Sequence, residues 1–363
     1  MKKKSNFEHG GDLKKAKKEF SLEEKGIMDF SANINFLGPP PEIMETIKDN
    51  LEEIQHYPQP HSEELKKVLG DKFSLSQEQV IVGNGAVEII YLLLEYLNIE
   101  NIVLPVPSFS EYEKAARKIE AELDFFYLDE KNIFSLEINR LKKYIFRNDL
   151  IILCNPHNPT AKLYTKKEVL EIVKIAQKEN SFVLIDEAFI DFITEKSKYS
   201  LVSELDKYPN LFIIRSMTKF FAIPGLRLGF GLGNSEIITE LEKRRDPWTV
   251  NTLAQIAGIK ALEEREYIKK TQKENVKERE FLFSKLKNIN KIKVFEPTAN
   301  FILVKLKNKL RASELKKRMA KRGVLIRDCS NFRGLDDSYF RLAVKSRKMN
   351  LEMLEILKNS LES

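Results

Sequence analysis

Seven short, continuously apolar runs lie between residues 80 and 233, separated by polar stretches with helical spacing: VIVG (80–83), NIVLP (101–105), LDFFYL (123–128), LIILCNP (150–156), FVLIDEAF (182–189), NLFIIRS (210–216) and GLRLGFGLG (225–233). A strand with one face in water alternates apolar and polar residues, and these runs do not. They are therefore expected to be buried on both faces, as in a sheet whose crossover helices cover it on either side. Helical periods at Ala86–Leu97 and near Ser110–Ile119 supply the first two covers. The pattern predicts an α/β fold on a mainly parallel seven-stranded sheet between helices.

The flanks read differently. Residues 1–40 are polar and end in LGPPPE, an irregular arm feeding a helix from about Glu42. After Trp248 a Lys/Glu-rich helical stretch (about 250–288) precedes the short runs IKVFEP, NFILVKL, VLIRDCS and YFRLAV, the pattern of a smaller α+β lobe. At 363 residues the chain is long for one core. The expected organisation is an arm at 1–40, a large domain at 41–248 and a small α+β domain at 249–363.

Composition narrows the partners. The net charge of +7 comes mostly from Lys interspersed with Glu on helical faces, a solvated pattern, and no zinc-finger or RNA-binding motif accompanies the basic runs near the N-terminus. Nucleic acid and membrane are not expected partners. Cys154 and Cys329 lack metal-ligand spacing and read as small packing residues, so no metal site is expected. The basic N-terminus lacks a following apolar segment, which points to the cytoplasm.

Open α/β sheets gather ligands beyond the carboxyl ends of their strands. The polar outliers of this chain fall there: Gly83 to Gly85, Asn155 to Thr160, Asp186, and Ser216 to Lys219. GNGAVE (83–88) places glycines on a strand-to-helix turn, where backbone N–H groups can face an anion or simply make a tight turn. The glycines of GFGLG (229–233) suit close packing better than a dinucleotide site. CNPHNPTAK (154–162) presents Asn155 and Asn158 from a proline-stiffened loop, with His157 read as a loop histidine. Asp186 follows four mainly apolar residues, so it needs a positive partner or hydrogen bonds, structural or functional.

The joint occurrence is more specific than its parts. An amine at Lys219, a carboxylate at Asp186, an Asn-Pro loop, a glycine-rich helix start, and Ser216 with Arg227 for a phosphate are the groups that pyridoxal 5'-phosphate requires. SMTK followed by GLRLGF, with NPHNPT and DEAF upstream in that order, resembles the class I/II aminotransferases of pyridoxal-phosphate fold type I over essentially the whole chain.

That resemblance implies a homodimer with shared sites. Lys219 would bond the cofactor aldehyde, Asp186 would face the pyridine nitrogen and Asn158 the ring hydroxyl. Gly85, Ala86, Ser216 and Arg227 would hold the cofactor phosphate, Phe109 would stack on the ring, and Tyr57 would reach in from the partner subunit. Arg341 matches the arginine that grips a substrate carboxylate.

Phe189 stands where many family members have Tyr. Together with EHGGD (8–12), DFSANINFLGPP (29–40) and IRDCSNFRGL (326–335), this makes the chain similar to the threonine-phosphate decarboxylases of cobalamin synthesis, with the histidinol-phosphate aminotransferases as relatives. The similarity implies a small phosphorylated amino-acid substrate held by His9, Gly10, Asn33 and Arg327 beside Asn158 and Arg341. The rival class is a regulatory or nucleic-acid-binding module on the same fold. Retention of Lys219 and the lack of a helix-turn-helix extension favour the enzyme.

Overall fold

The computed structural model describes residues 10–20 and 26–362. Among them thirteen strands occur: β1 (Met28–Asp29), β2 (Val80–Asn84), β3 (Asn101–Val106), β4 (Glu122–Tyr127), β5 (Leu150–Cys154), β6 (Phe182–Asp186), β7 (Leu211–Ser216), β8 (Leu228–Leu232), β9 (Ile292–Val294), β10 (Phe301–Leu306), β11 (Val324–Leu325), β12 (Arg327–Asp328) and β13 (Tyr339–Ala343). The seven apolar runs are the seven strands of one sheet, in the order β2-β8-β7-β6-β5-β3-β4. Neighbours run parallel except at β8, which is antiparallel to both β2 and β7.

Six of the runs are apolar throughout because successive residues feed two different cores, whereas the edge strand β4 exposes Glu122, Asp124 and Tyr127, so the expected burial on both faces fails there. Val80, Val82, Ile151, Leu153, Val183 and Ile185 point to one, which also takes Val169, Ile172 and Val173 of the helix Lys166–Lys178. Ile81, Ile152, Leu184 and Phe212 point to the other, filled by Ile89, Ile90 and Leu93 of the helix Ala86–Leu97. The glycines of β8 serve close packing, as expected: a Cβ on Gly229 would stand 2.3 Å from Ala86 N, and one on Gly231 would stand 2.8 Å from the Phe212 ring.

A second, antiparallel sheet runs β12-β13-β10-β9. Its strands do alternate. Phe340, Leu342 and Val344 pack on Leu282, Leu286, Met353 and Leu357 of the helices Arg265–Lys287 and Arg347–Glu362, whereas Tyr339, Phe301 and Leu303 join the core of the larger body. Arg341 lies on this inward face between Tyr339 and Ala343.

Two details differ from the sequence reading. VLIRDCS is not one strand, since β11 pairs in parallel with β1 while β12 pairs with β13. The helical stretch after residue 250 is two helices, Thr252–Glu263 and Arg265–Lys287, broken at Glu264. They bury against different partners: Ala254, Ala257 and Ala261 share a core with Leu65 and Leu69, while Leu282 and Leu286 belong to the smaller sheet. One straight helix could not serve both.

The described part of the arm also packs. The helix Leu13–Phe20 sets Ala16 against Ala320 and Leu325, and Phe30 is fully buried in the core of the smaller sheet. Both cysteines are free and buried. Among the described residues no helix is long and apolar enough to cross a membrane, and no cluster of His, Cys, Asp and Glu could hold a metal ion.

Candidate active site

The carboxyl ends of β2, β5, β6 and β7 deliver their polar groups to one crevice, and the reversal of β8 adds a fifth. Gly229 of β8 pairs with Gly83 on one side and with Ser216 on the other. An antiparallel strand begins where its neighbours end, so Arg227, one residue before β8, stands at the carboxyl ends of β2 and β7. A Cβ built on Gly85, whose φ is +81°, would come within 2.4 Å of Arg227 Nη2. Only glycine allows this approach. The guanidinium itself makes no hydrogen bond or ion pair among the described residues. Next to it are the first turn of the helix Ala86–Leu97 and the Ser216 and Thr218 hydroxyls, 2.8 Å apart. Helix N-terminus, hydroxyls and guanidinium together suit a phosphate.

Lys219 lies in the short helix Met217–Phe220 that follows β7, and its Nζ donates to Ser216 Oγ at 2.9 Å. Burial pulls its pKa below the ordinary lysine value, against the attraction of Asp186 and with the help of Arg227. An amine with a lowered pKa is more often neutral and so more nucleophilic. The ring of Phe189 is 5.9 Å from Nζ and offers no hydroxyl.

Asp186 closes β6 as a buried carboxylate. Burial raises its pKa, while a hydrogen bond from the Tyr112 hydroxyl to Oδ2 (2.6 Å), the Lys219 charge and one from the Ala188 N–H to Oδ1 (2.8 Å) oppose that rise. The carboxylate is thus fixed in direction by two donors and keeps acceptor capacity for a third.

A cavity of ≈190 Å³ gathers Lys219, Phe109, Asn158, Gly10, Asn33, Arg327 and Arg341, with Phe189 and Phe332 as apolar wall. Arg341 is 6% exposed and has no carboxylate partner among the described residues. Its Nη1 donates to Asn158 Oδ1, its Nη2 to the Ser31 carbonyl at 3.1 Å, and its Nε is buried with no acceptor among the described residues. Burial lowers its pKa to about 10. Arg327 donates from Nη2 to Asn331 Oδ1 at 2.9 Å and lies over the Phe332 ring. Arg327 and Arg341 are direct cross-strand partners on β12 and β13. Directly opposed like charges are destabilising in a sheet unless something anionic lies between them.

Of the remaining expected site residues, His9 lies outside the described residues. Tyr57 is not part of this cavity: it is 81% exposed and packs on Trp248 at 4.9 Å between ring centroids.

Sequence reasoning missed several contributors. Tyr112 sits in SEYEKAARK, where an aromatic residue reads as ordinary core. Asn35 of the arm donates from its backbone N–H to the Lys219 carbonyl at 3.0 Å and from Nδ2 to the Phe220 carbonyl at 2.8 Å and to Tyr267 Oη. Ser31 and Phe332 lie in segments flagged for resemblance, without a role of their own. His157 lies in a loop, as read from the sequence, and is buried there. Its Nδ1 is 2.8 Å from Thr160 Oγ1, its Nε2 has no partner among the described residues, and burial lowers its pKa to about 3.

Comparisons with known proteins place the chain in a family. The chain is 38% identical over 356 residues, covering 98% of this chain and 94% of the relative, to a protein of Caldanaerobacter subterraneus subsp. tengcongensis named "Putative threonine-phosphate decarboxylase". Among solved structures it is similar to histidinol-phosphate aminotransferase from Clostridium acetobutylicum, with TM-score 0.86 and 36% identity over 92% of this chain and 98% of that one. It is also similar to L-threonine-O-3-phosphate decarboxylase from Porphyromonas gingivalis, with TM-score 0.84 and 28% identity over 92% and 99%. The family described as aminotransferase class I and II matches residues 25–357. The chain belongs to that family, the pyridoxal 5'-phosphate-dependent class I and II aminotransferases.

Proposed function

We propose that this protein decarboxylates O-phospho-L-threonine to (R)-1-amino-2-propanol phosphate. The observation that carries the reading is the Arg327–Arg341 cross-strand pair on the Lys219 cavity. Cβ atoms of directly opposed residues are about 5 Å apart, so the two guanidiniums suit a ligand with two anionic groups a few bonds apart. O-Phosphothreonine carries its carboxylate and phosphate on adjacent carbons. Histidinol phosphate carries no carboxylate and would leave one buried guanidinium unpaired, at a cost in binding, whereas the two carboxylates of its co-substrate 2-oxoglutarate would pair both, so the assay decides between the two reactions.

The residues present fit pyridoxal 5'-phosphate. The cradle at Gly85 that a Cβ would fill, with Ala86, Ser216 and Arg227, suits its phosphate. Asp186, aimed by Tyr112 and the Ala188 N–H, would keep a proton on the pyridine nitrogen. Asn158 would meet the ring hydroxyl, Phe109 would cover the ring face, and Lys219 would bond the aldehyde. When bound, the cofactor supplies an electron sink for the pair released at the substrate's Cα.

In this reading Arg341 grips the carboxylate and Arg327 the phosphate, with Gly10, Asn33 and the arm around them and His9 suited to the same phosphate. These two grips set which bond at Cα is presented for cleavage. The carboxylate leaves as carbon dioxide, and Lys219, freed by the substrate amine, delivers a proton to Cα. Phe109, Phe189 and Phe332 limit water at that carbon, which favours reprotonation over side reactions. Tyr57, on the surface of a single chain, is assigned to the site of a second copy in a homodimer.

Loaded protein is to be assayed with O-phospho-L-threonine, and separately with histidinol phosphate plus 2-oxoglutarate. Carbon dioxide and aminopropanol phosphate are expected from the first. Glutamate formed in the second, with no carbon dioxide in the first, overturns the proposal in favour of the aminotransferase.

A further inference from the structure

The segment from Cys329 to Leu335 forms a short strap that contributes to the cavity lining. Two turn hydrogen bonds shape it, from Phe332 N–H to the Cys329 carbonyl and from Leu335 N–H to the Phe332 carbonyl, each 3.0 Å. It supplies Phe332 to the cavity wall and Asn331 to Arg327. At Gly334, whose φ is +89°, it runs so close to the larger body that a Cβ would lie 3.4 Å from Pro107 N.

Arg333 fastens this strap to the larger body. Its Nη2 and Nε donate to the two carboxylate oxygens of Glu113 at 2.9 and 3.2 Å, and its guanidinium lies 4.0 Å from the centre of the Phe125 ring. The Glu113 side chain is only 11% exposed. It belongs to the helix Ser110–Lys118, capped by Phe109, the residue expected on the cofactor ring. Phe109, Glu113, Arg327, Phe332 and Arg333 converge on one small space between the two bodies. Arg117 also reaches Glu113, but from the same helix and with 59% of its side chain exposed, so it cannot tie the strap.

We infer that the Arg333–Glu113 pair is a latch that positions Phe332 and Arg327 over the cavity, and so sets affinity for the phosphorylated end of the substrate. Arg333 and Glu113 are positioning residues, since neither lines the Lys219 cavity. A two-pronged guanidinium–carboxylate pair fixes direction as well as distance, which one contact through Lys could not do. The inference rests on the reading of Arg327 as a phosphate ligand for its kinetic consequence, but not for its structural one.

Two readouts separate them, both on loaded protein. In R333Q and E113Q, hydrogen exchange at the Phe332 and Leu335 amides is expected to accelerate, while exchange in the β6 core does not change. KM for O-phospho-L-threonine is expected to rise about fivefold with kcat within about twofold, the range of a partly exposed ion pair. The swapped double variant E113R/R333E is expected to recover part of both losses, and R117A to show neither. Exchange unchanged in both single variants overturns the latch whatever the activity. Faster exchange with an unchanged KM overturns its role in affinity. If wild-type protein does not decarboxylate O-phosphothreonine, the functional reading fails while the exchange still decides the latch.

Discussion

Replacing Arg341 by Met separates what this guanidinium does for the fold from what it does for a ligand. In the free protein it is a buried charge with two hydrogen bonds, to Asn158 Oδ1 and the Ser31 carbonyl, and an idle Nε. Removing it loses two charge-assisted bonds, about 1.5–3 kcal/mol each. It also lifts the desolvation penalty of an unpaired ion, several kcal/mol of opposite sign. Met has comparable length and fills the space against Phe301, over whose ring the guanidinium lies at 5.2 Å. The two contributions nearly cancel, so R341M is expected to change unfolding free energy by less than about 2 kcal/mol. For a bound carboxylate nothing cancels. An anion left without its partner costs about 2–5 kcal/mol, a loss of about 30-fold to 5,000-fold in kcat/KM. The assay is carbon dioxide release from O-phospho-L-threonine beside urea unfolding of the same preparation. A variant strongly destabilised but kinetically within tenfold of wild type would refute the reasoning, because the charge would then be structural.

Other consequences follow from the same geometry. G85A forces a side chain to φ +81° and against Arg227. It should cost about 1–2 kcal/mol of stability and, in a titration with pyridoxal 5'-phosphate, weaken binding at least about tenfold. Y112F removes a donor that opposes the burial-driven rise in the Asp186 pKa. The carboxylate then protonates at higher pH, so the acid limb of the kcat/KM profile should move up; an unmoved limb dissociates Asp186 from the rate. His157 has a pKa near 6.5 when unfolded and about 3 when buried, so between those values the unfolded chain binds the extra proton. Its contribution is complete above about pH 6.5 and declines as pH falls, so wild type should lose about 2 kcal/mol more than H157Q between pH 7 and 5 in denaturant unfolding. Borohydride reduction of loaded protein followed by peptide mass mapping should place a pyridoxyl group on Lys219, and a label elsewhere removes the basis of the site.

Six of the seven apolar runs announced the large sheet because double-sided burial leaves no polar position to confuse the reading, while the edge strand β4 kept an exposed face with Asp124 and Tyr127 on it. Strand direction was not legible: GLRLGFGLG has the same composition whichever way it runs, and only the pairing of Gly229 with both Gly83 and Ser216 reveals the reversal that brings Arg227 to Gly85. Lys219, Asp186 and Ser216 were visible because ionisable and hydroxyl groups are out of place at the ends of apolar strands. Tyr112 was not, since a tyrosine on an amphipathic helix looks the same whether its hydroxyl meets water or Asp186. Asn35 escaped because its partners, Lys219, Phe220 and Tyr267, are more than 180 residues away in sequence. The break at Glu264 was hidden by good helix formers on both sides of it, where packing against two bodies overrides propensity.

The bond from Asn35 to the main chain of Lys219 joins the arm to the peptide that follows β7. A few residues earlier, the same segment is stitched to β11 through β1 and sealed by Phe30 into the smaller sheet. The arm therefore links the core of the smaller sheet to the peptide that carries Lys219. In the proposed reading the arm touches both walls of the crevice, since its Ser31 carbonyl accepts from Arg341 and its Asn35 N–H donates to the main chain of Lys219.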